Sequence, residues 1–224
     1  MSKRDPLVVT LLALTGVTGL VDAVSFLGLG HVFTANMTGN VVLLGFAVAG
    51  APGLSIARSS TSLVAFLVGA ALGGRLGVAM ATASRRRWLF TVAASEAALL
   101  VTAALVSIGF DIGAATPPSR LYAVIVLTAV AMGLRNATVR RLAVPDLTTT
   151  VLTLTLTGVA ADSSLAGGDN PRAGRRLASV ALMFAGAALG TVLLQLGLAL
   201  PLVVSGACVL AATAYAALAT GEEP

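Results

Sequence analysis

Apolar residues fill this 224-residue chain in eight blocks, at roughly 6–29, 32–51, 60–82, 88–110, 121–135, 147–161, 177–199 and 201–220. A helix rises 1.5 Å per residue, so about 20 apolar residues cross a hydrocarbon layer of ~30 Å. The first, third, fourth, seventh and eighth blocks reach that length, and the fifth does when continued through Arg135 toward Leu142. The second and sixth do not read as plain spans. The second carries the polar, breaker-rich run FTANMTGN at 33–40; the sixth is short, rich in Thr and followed by Asp162. Lipid offers no partner to a backbone amide, so irregular backbone survives at membrane depth only inside protein or beside water. The pattern predicts an all-α integral membrane protein with an unwound element in each half.

The blocks also repeat. GLVDA at 19–23 corresponds to GLRNA at 133–137, an offset of 114, and GAALG stands at 69–73 and again at 186–190, an offset of 117. The polar run falls opposite the Thr-rich run between these matches. The expectation is a single membrane domain, 1–224, of two repeats at about 1–115 and 116–224. Charge then bears on topology. If all eight blocks span from a cytoplasmic N-terminus, Lys3, Arg4, Arg58, Arg120, Arg172, Arg175 and Arg176 face inward. Arg85, Arg86, Arg87, Arg140 and Arg141 then face outward, a weak bias of seven to five. If the second and sixth blocks re-enter, Arg85, Arg86, Arg87, Arg140 and Arg141 move inside, and only Arg58 and Arg120 face outward. Ten against two is the asymmetry of cytoplasmic loops. The favoured reading is six transmembrane helices plus two re-entrant or discontinuous helical segments, with inverted repeats; the alternative is eight spans with parallel repeats.

Composition agrees. The chain is 57% hydrophobic and 10% charged, with mean hydropathy +0.97, against about a quarter charged residues in soluble domains. The net charge of +5 sits in short clusters between apolar blocks, which reads as topology control rather than nucleic-acid binding. One cysteine, Cys208, and one histidine, His31, leave no intrachain disulfide and no multi-His metal site, so no metal or other cofactor is expected. Cys208 reads as a small core residue. The start MSKRDP resembles a signal peptide, but the apolar stretch runs past 20 residues and more spans follow, so an uncleaved first helix is expected. GxSxG, HExxH and P-loop signatures are absent, and the chain is not expected to be an enzyme.

The candidate site gathers the polar residues of the odd blocks. Asp22 lies late in the first span, where a carboxylate costs about 2.5–3.5 kcal/mol on insertion scales; its repeat partner is Asn136, beside Arg135. Asn36, Thr38, Gly39 and Asn40 favour an unwound segment or the start of a half-helix, with Thr149, Thr150 and Thr153 as counterparts. Glu96 sits deep in the fourth span, a proton- or ion-coupling candidate after Asp22, or half of a structural pair with Arg75 or Ser95. Arg75 and Arg135 are the candidate charge partners. Gln195 reads as a packing hydrogen bond. Gly69, Gly73, Gly186 and Gly190 give small-xxx-small faces for close helix packing, and their two helices are candidates to cross at a pseudo-two-fold axis.

The run GLVDAVSFLGLGHVFTANMTGNVVLLG at 19–45 resembles the YoaK-like family of bacterial membrane proteins, a family defined as a domain of unknown function. Asp22, Asn36, Thr38, Gly39 and Asn40 match its D-A-x-x-F/Y-L and F-x-A-N-M-T-G-N marks directly. The later GLRNA and TTTVLT fit its second block, except that Leu154 replaces a glycine, so the second turn is expected to be less sharp. The resemblance covers nearly the whole chain and implies a multi-span inner-membrane protein with no established substrate. The resulting expectation is a transporter or channel for a small polar solute or ion, with its site at the repeat interface. The alternative is a membrane scaffold or assembly protein. Expected partners are the lipid bilayer, the unidentified solute and, compatibly, further copies of the chain; nucleic acid is not among them.

Overall fold

The computed structural model describes residues 5–147 and 149–219; Lys3, Arg4, Thr148 and residues 220–224 lie outside the described residues. The helices in chain order are α1 (Pro6–Ala23), α2 (Met37–Val48), α3 (Ile56–Ala79), α4 (Arg85–Val106), α5 (Pro118–Leu142), α6 (Thr153–Ala161), α7 (Ala173–Leu194) and α8 (Ala199–Ala219). Their starts follow from local chemistry. Asp5 accepts the Leu7 amide at 2.9 Å ahead of Pro6, and Ser55 and Ser84 cap α3 and α4 through the Arg58 and Arg87 amides.

Six helices are long and apolar enough to cross a membrane: α1 with a π-helical extension (Pro6–Gly28), α3, α4, α5, α7 and α8. The 12 residues of α2 and the 9 of α6 do not suffice; they rise only ~18 and ~14 Å. The most apolar stretches of α1 and α5 are 67% and 61% buried, against 28% for α3 and 17% for α7, so the core forms around α1 and α5. Leu11, Val21, Val124, Ile125, Met132 and Leu202 are among its fully buried members. α3 lies along α5 and α7 along α1, while α4 and α8 pack on each other and on α5 and α1 respectively. The outer faces of α3 and α7 expose Leu67, Leu72, Phe184 and Val192, a surface suited to a hydrocarbon solvent. Cys208 also faces outward on α8 rather than into the core, because Ser205, Gly206 and Val209 form the packed side of that helix.

Glycine sets the closeness of the two main crossings. A Cβ on Gly19 would strike the Met183 carbonyl and the Ala187 amide, and one on Gly133 the Phe66 carbonyl and the Ala70 amide. A Cβ on Gly186 would strike the Gly16 carbonyl and one on Gly69 the Val130 carbonyl, while Gly190 and Gly73 press on Leu20 and Leu134. The α7-on-α1 crossing therefore uses the positions of the α3-on-α5 crossing, displaced by the offsets of 114 and 117 seen in sequence. Each GAALG helix packs on the first helix of the other half, not chiefly on its counterpart. Valine at Gly69 or Gly186 must push backbone from backbone, more than the ~1–3 kcal/mol of ordinary overpacking. The yield of monodisperse protein in detergent chromatography should collapse for Gly69→Val and Gly186→Val. It should persist for Gly74→Val, where a Cβ meets nothing within 4 Å.

Candidate functional site

The first half of the site is a break in the chain held open by one side chain. Two residues after Asp22 the helix loosens into a π-helical turn, Val24–Gly28, and then reverses through Gly30 and His31 at φ +80° and +62°. Residues 33–36 are not helical, so their amides need partners elsewhere. Asn40 supplies those of Phe33, and the Ala35 amide turns to Asp22. Asn40 Oδ1 accepts the Phe33 amide at 2.9 Å, and its Nδ2 donates to the Phe33 carbonyl and to Ser62 Oγ on α3. Ser62 Oγ also donates to that carbonyl at 2.6 Å. Asn36 Oδ1 accepts the Gly39 amide at 3.1 Å and so caps α2, while a Cβ on Gly39 would run into the Phe33 ring. Arg58, in the first turn of α3, reaches the Gly30 carbonyl at 3.4 Å.

The second half is built more loosely. Asn136 on α5 donates to the Met132 carbonyl at 2.8 Å and accepts from Thr150 Oγ1 at 2.7 Å. Thr149 is buried with a positive φ of 61°, and Leu152, at the N-cap of α6, makes no side-chain capping bond. Beyond α6, Arg176 near the start of α7 binds the Gly158 carbonyl at 2.6 Å and Asp162 at 2.8 Å. Its Nε meets Asp146, which lies before α6, at 3.2 Å, and Arg172 joins the same carboxylate at 2.7 Å.

Where α2 and α6 begin, a cleft of about 490 Å³ opens between them. Of the residues singled out in sequence, Asp22, Asn36, Thr38, Gly39, Thr150 and Thr153 line it. Asn40 and Asn136 stand behind the wall as supports, and Thr149 is not part of the lining. Asp22 Oδ1 is buried without a hydrogen-bond partner, while the Ala35 amide faces the carboxylate. Phe33, Val42, Leu43, Val151, Leu152, Leu156 and Met183 complete the walls. Sequence reasoning passed over these apolar residues because nothing in their spacing sets them apart. It also passed over Ser62, the last of four hydroxyl residues at 59–62, and Thr18, one of three threonines in the first block.

Glu96 is fully buried on α4, and its partner is Arg135, whose Nη2 pairs with Oε1. Arg135 Nη1 donates to the Leu14 carbonyl and to Thr18 Oγ1, both at 3.1 Å, joining α4, α5 and α1. Arg75 is not the partner. It lies exposed on the outer side of α3, away from the face whose Gly69 and Gly73 meet α5, and no ion pair among the described residues includes it. Ser95 turns back to the Thr91 carbonyl. Gln195 lies at the C-terminal cap of α7. A cavity of about 40 Å³ beside Glu96 and Arg135 has largely apolar walls and holds a few waters at most.

Six spanning-length apolar helices around a buried ion pair, with two short helices meeting at a polar cleft, define a multi-pass α-helical membrane protein. A family model described as "Protein of unknown function (DUF1275)" matches residues 10–215, and the chain belongs to that family. It is 35% identical over 159 residues to the UPF0700 transmembrane protein YoaK of Bacillus subtilis (strain 168), covering 69% of this chain and 67% of that one. No solved structure matches the chain. The bonding pattern ranks two substitutions. Asn36→Ala removes one cap, worth about 0.5–2 kcal/mol. Asn40→Ala leaves a buried amide unmet and breaks the tie to α3, so its thermal midpoint in detergent should fall well below that of Asn36→Ala.

Proposed function

We propose that this protein moves a small polar solute or ion across the bacterial inner membrane through the cleft between α2 and α6, without an ATPase or enzymatic activity of its own. One observation carries the reading: Asp22, Asn36, Thr38, Gly39, Thr150 and Thr153, from opposite halves of the chain, converge on one cleft where two short helices begin. Helix N-termini inside a membrane protein are a recurrent way to hold a solute at the midplane.

The contacts also support an inverted duplication with re-entrant segments. Asp146 before α6 and Asp162 after it both meet Arg176 at the start of α7. Gly30 before α2 meets Arg58 at the start of α3, the helix that follows α2. Each short helix thus starts and finishes near the same end of a spanning helix. With ten basic residues against two, this favours a cytoplasmic N-terminus.

Topology is read by labelling Pro52→Cys and Leu165→Cys in a Cys208→Ser background, both sites being exposed. The expected result is modification from opposite faces; modification of both from the cytoplasm favours eight spans. Transport is read by flux into proteoliposomes, with amines, small carboxylates and alkali cations as solutes. Asp22→Asn should abolish flux at unchanged expression. Normal behaviour of Asp22→Asn and Asn36→Ala, with failure only of variants on the GAALG faces, would give the ground to a membrane scaffold.

A further inference from the structure

The geometry points to the class of solute: a small organic ammonium ion, its cationic head on Asp22 and its apolar body against Leu43, Leu156 and Met183. The inference deepens the transport reading for its biological use, but the binding step stands without it.

Charge gives the sign. Asp22, Glu96 and Arg135 are the ionisable groups that meet in the middle of the bundle among the described residues. Both terminal nitrogens of Arg135 are committed, one to Glu96 and the other to Leu14 and Thr18, while its Nε has no hydrogen-bond partner. When both carboxylates are ionised, two against one guanidinium leave one negative charge in surplus, and its seat is Asp22. Asp22 Oδ1 is buried, has no hydrogen-bond partner and belongs to the cleft wall. An ionised group in a membrane interior calls for a counter-ion, so the cleft is short of one positive charge.

The N-termini of α2 and α6 pull the other way, since each carries about half a positive charge. Asn36 already takes the Gly39 amide of α2, and the Ala35 amide faces the Asp22 carboxylate. An incoming anion meets a full like charge on the wall; an incoming cation completes it. Size and wall chemistry then give the class. At about 490 Å³ the cleft lies within the range of small-molecule pockets, far larger than a bare metal ion needs. No group of three His, Cys, Asp or Glu suited to a metal occurs among the described residues. The apolar side chains, Phe33 among them, suit a hydrocarbon body.

Arg135 links the site to Glu96. Thr18 and Asp22 are four residues apart on α1 and so share a face. The guanidinium that Glu96 holds at Thr18 therefore stands one turn from the surplus carboxylate. Without the charge of Glu96, Arg135 is drawn to Asp22 and competes with the ammonium ion. Among the residues lining the cleft Asp22 is the charged one; on α3, Arg58 is turned to the Gly30 carbonyl and Arg75 is exposed, and α8 carries no charge.

The test uses full-length protein in detergent and three probes of one branched skeleton: isobutylammonium, isobutyramide and isobutyrate. Only isobutylammonium should raise the thermal midpoint saturably, and Asp22→Asn should lose the effect. Glu96→Gln should weaken the apparent affinity by about tenfold or more, the reach of a close charge, and Glu96→Gln with Arg135→Gln should restore it. Preference for isobutyrate or isobutyramide, no response to any probe, or wild-type response in Asp22→Asn overturns the proposal. An unchanged affinity in Glu96→Gln overturns the link through Arg135. If Glu96→Gln does not fold, the three-probe comparison and Asp22→Asn still decide the sign of the site. Binding of isobutylammonium without its uptake by vesicles removes the transport reading alone. Uptake of isobutyrate without ammonium binding removes this inference alone.

Discussion

A backbone that leaves its helix inside a hydrocarbon layer must find every lost hydrogen bond within the protein, because lipid supplies none. In this chain residues 33–36 leave the helical pattern between α1 and α2, and Asn40 closes the gap at Phe33 with three bonds at once: two to Phe33 and one to Ser62. From this closure the neighbouring geometry follows. The chain turns back early enough for α2 to begin beside Asp22. α2 is seated against α3, and its first turn becomes a wall of the cleft. An amide is well suited to the task, since it donates and accepts from one rigid head. A hydroxyl donates one bond from a shorter arm, and a carboxylate accepts but does not donate.

The buried pair of Glu96 and Arg135 performs a comparable service for the spanning helices. It ties α4 to α5 and, through Leu14 and Thr18, to α1. Such a pair adds little stability over an apolar replacement. It is costly to break on one side only, by about 3–5 kcal/mol, because the remaining charge is stranded. It thus defines which helices meet more than it strengthens the bundle. Together with the glycine crossings it accounts for a packed centre in a chain whose outer faces are largely apolar.

Much of this was legible in the sequence, and for a definite reason. Insertion into lipid makes every polar residue conspicuous, so Asp22, Asn36, Asn40 and Glu96 stood out against their blocks. The same contrast located both short helices and drew attention to the glycines. What escaped was pairing. Arg75 and Arg135 are equally visible as charges in apolar blocks, and only the rotation of α3 and α5 about their axes reveals that one faces out and the other in. Cys208 escaped for the same reason, since a small residue in an apolar run fits either face of α8. The lower symmetry of the second half was foreshadowed by Leu154, where the first half has a glycine. Leu152 at the start of α6 accordingly makes no side-chain capping bond, whereas Asn36 caps α2.

The glycine crossings carry a mechanical consequence. Helices locked backbone to backbone move as one body, because close-packed interfaces do not deform continuously. α3 is locked to α5 and α7 to α1, so each rigid unit contains helices from both halves of the chain. The boundary between these units therefore does not coincide with the boundary between the sequence halves, and Arg135 bridges it from α5 to Leu14 and Thr18 on α1. α2 rides on α3 and α6 on α7. Asn36, Thr38 and Gly39 thus travel with one unit, while Asp22, Thr153 and Met183 travel with the other. The cleft lies where the two units meet, and each contributes part of its wall.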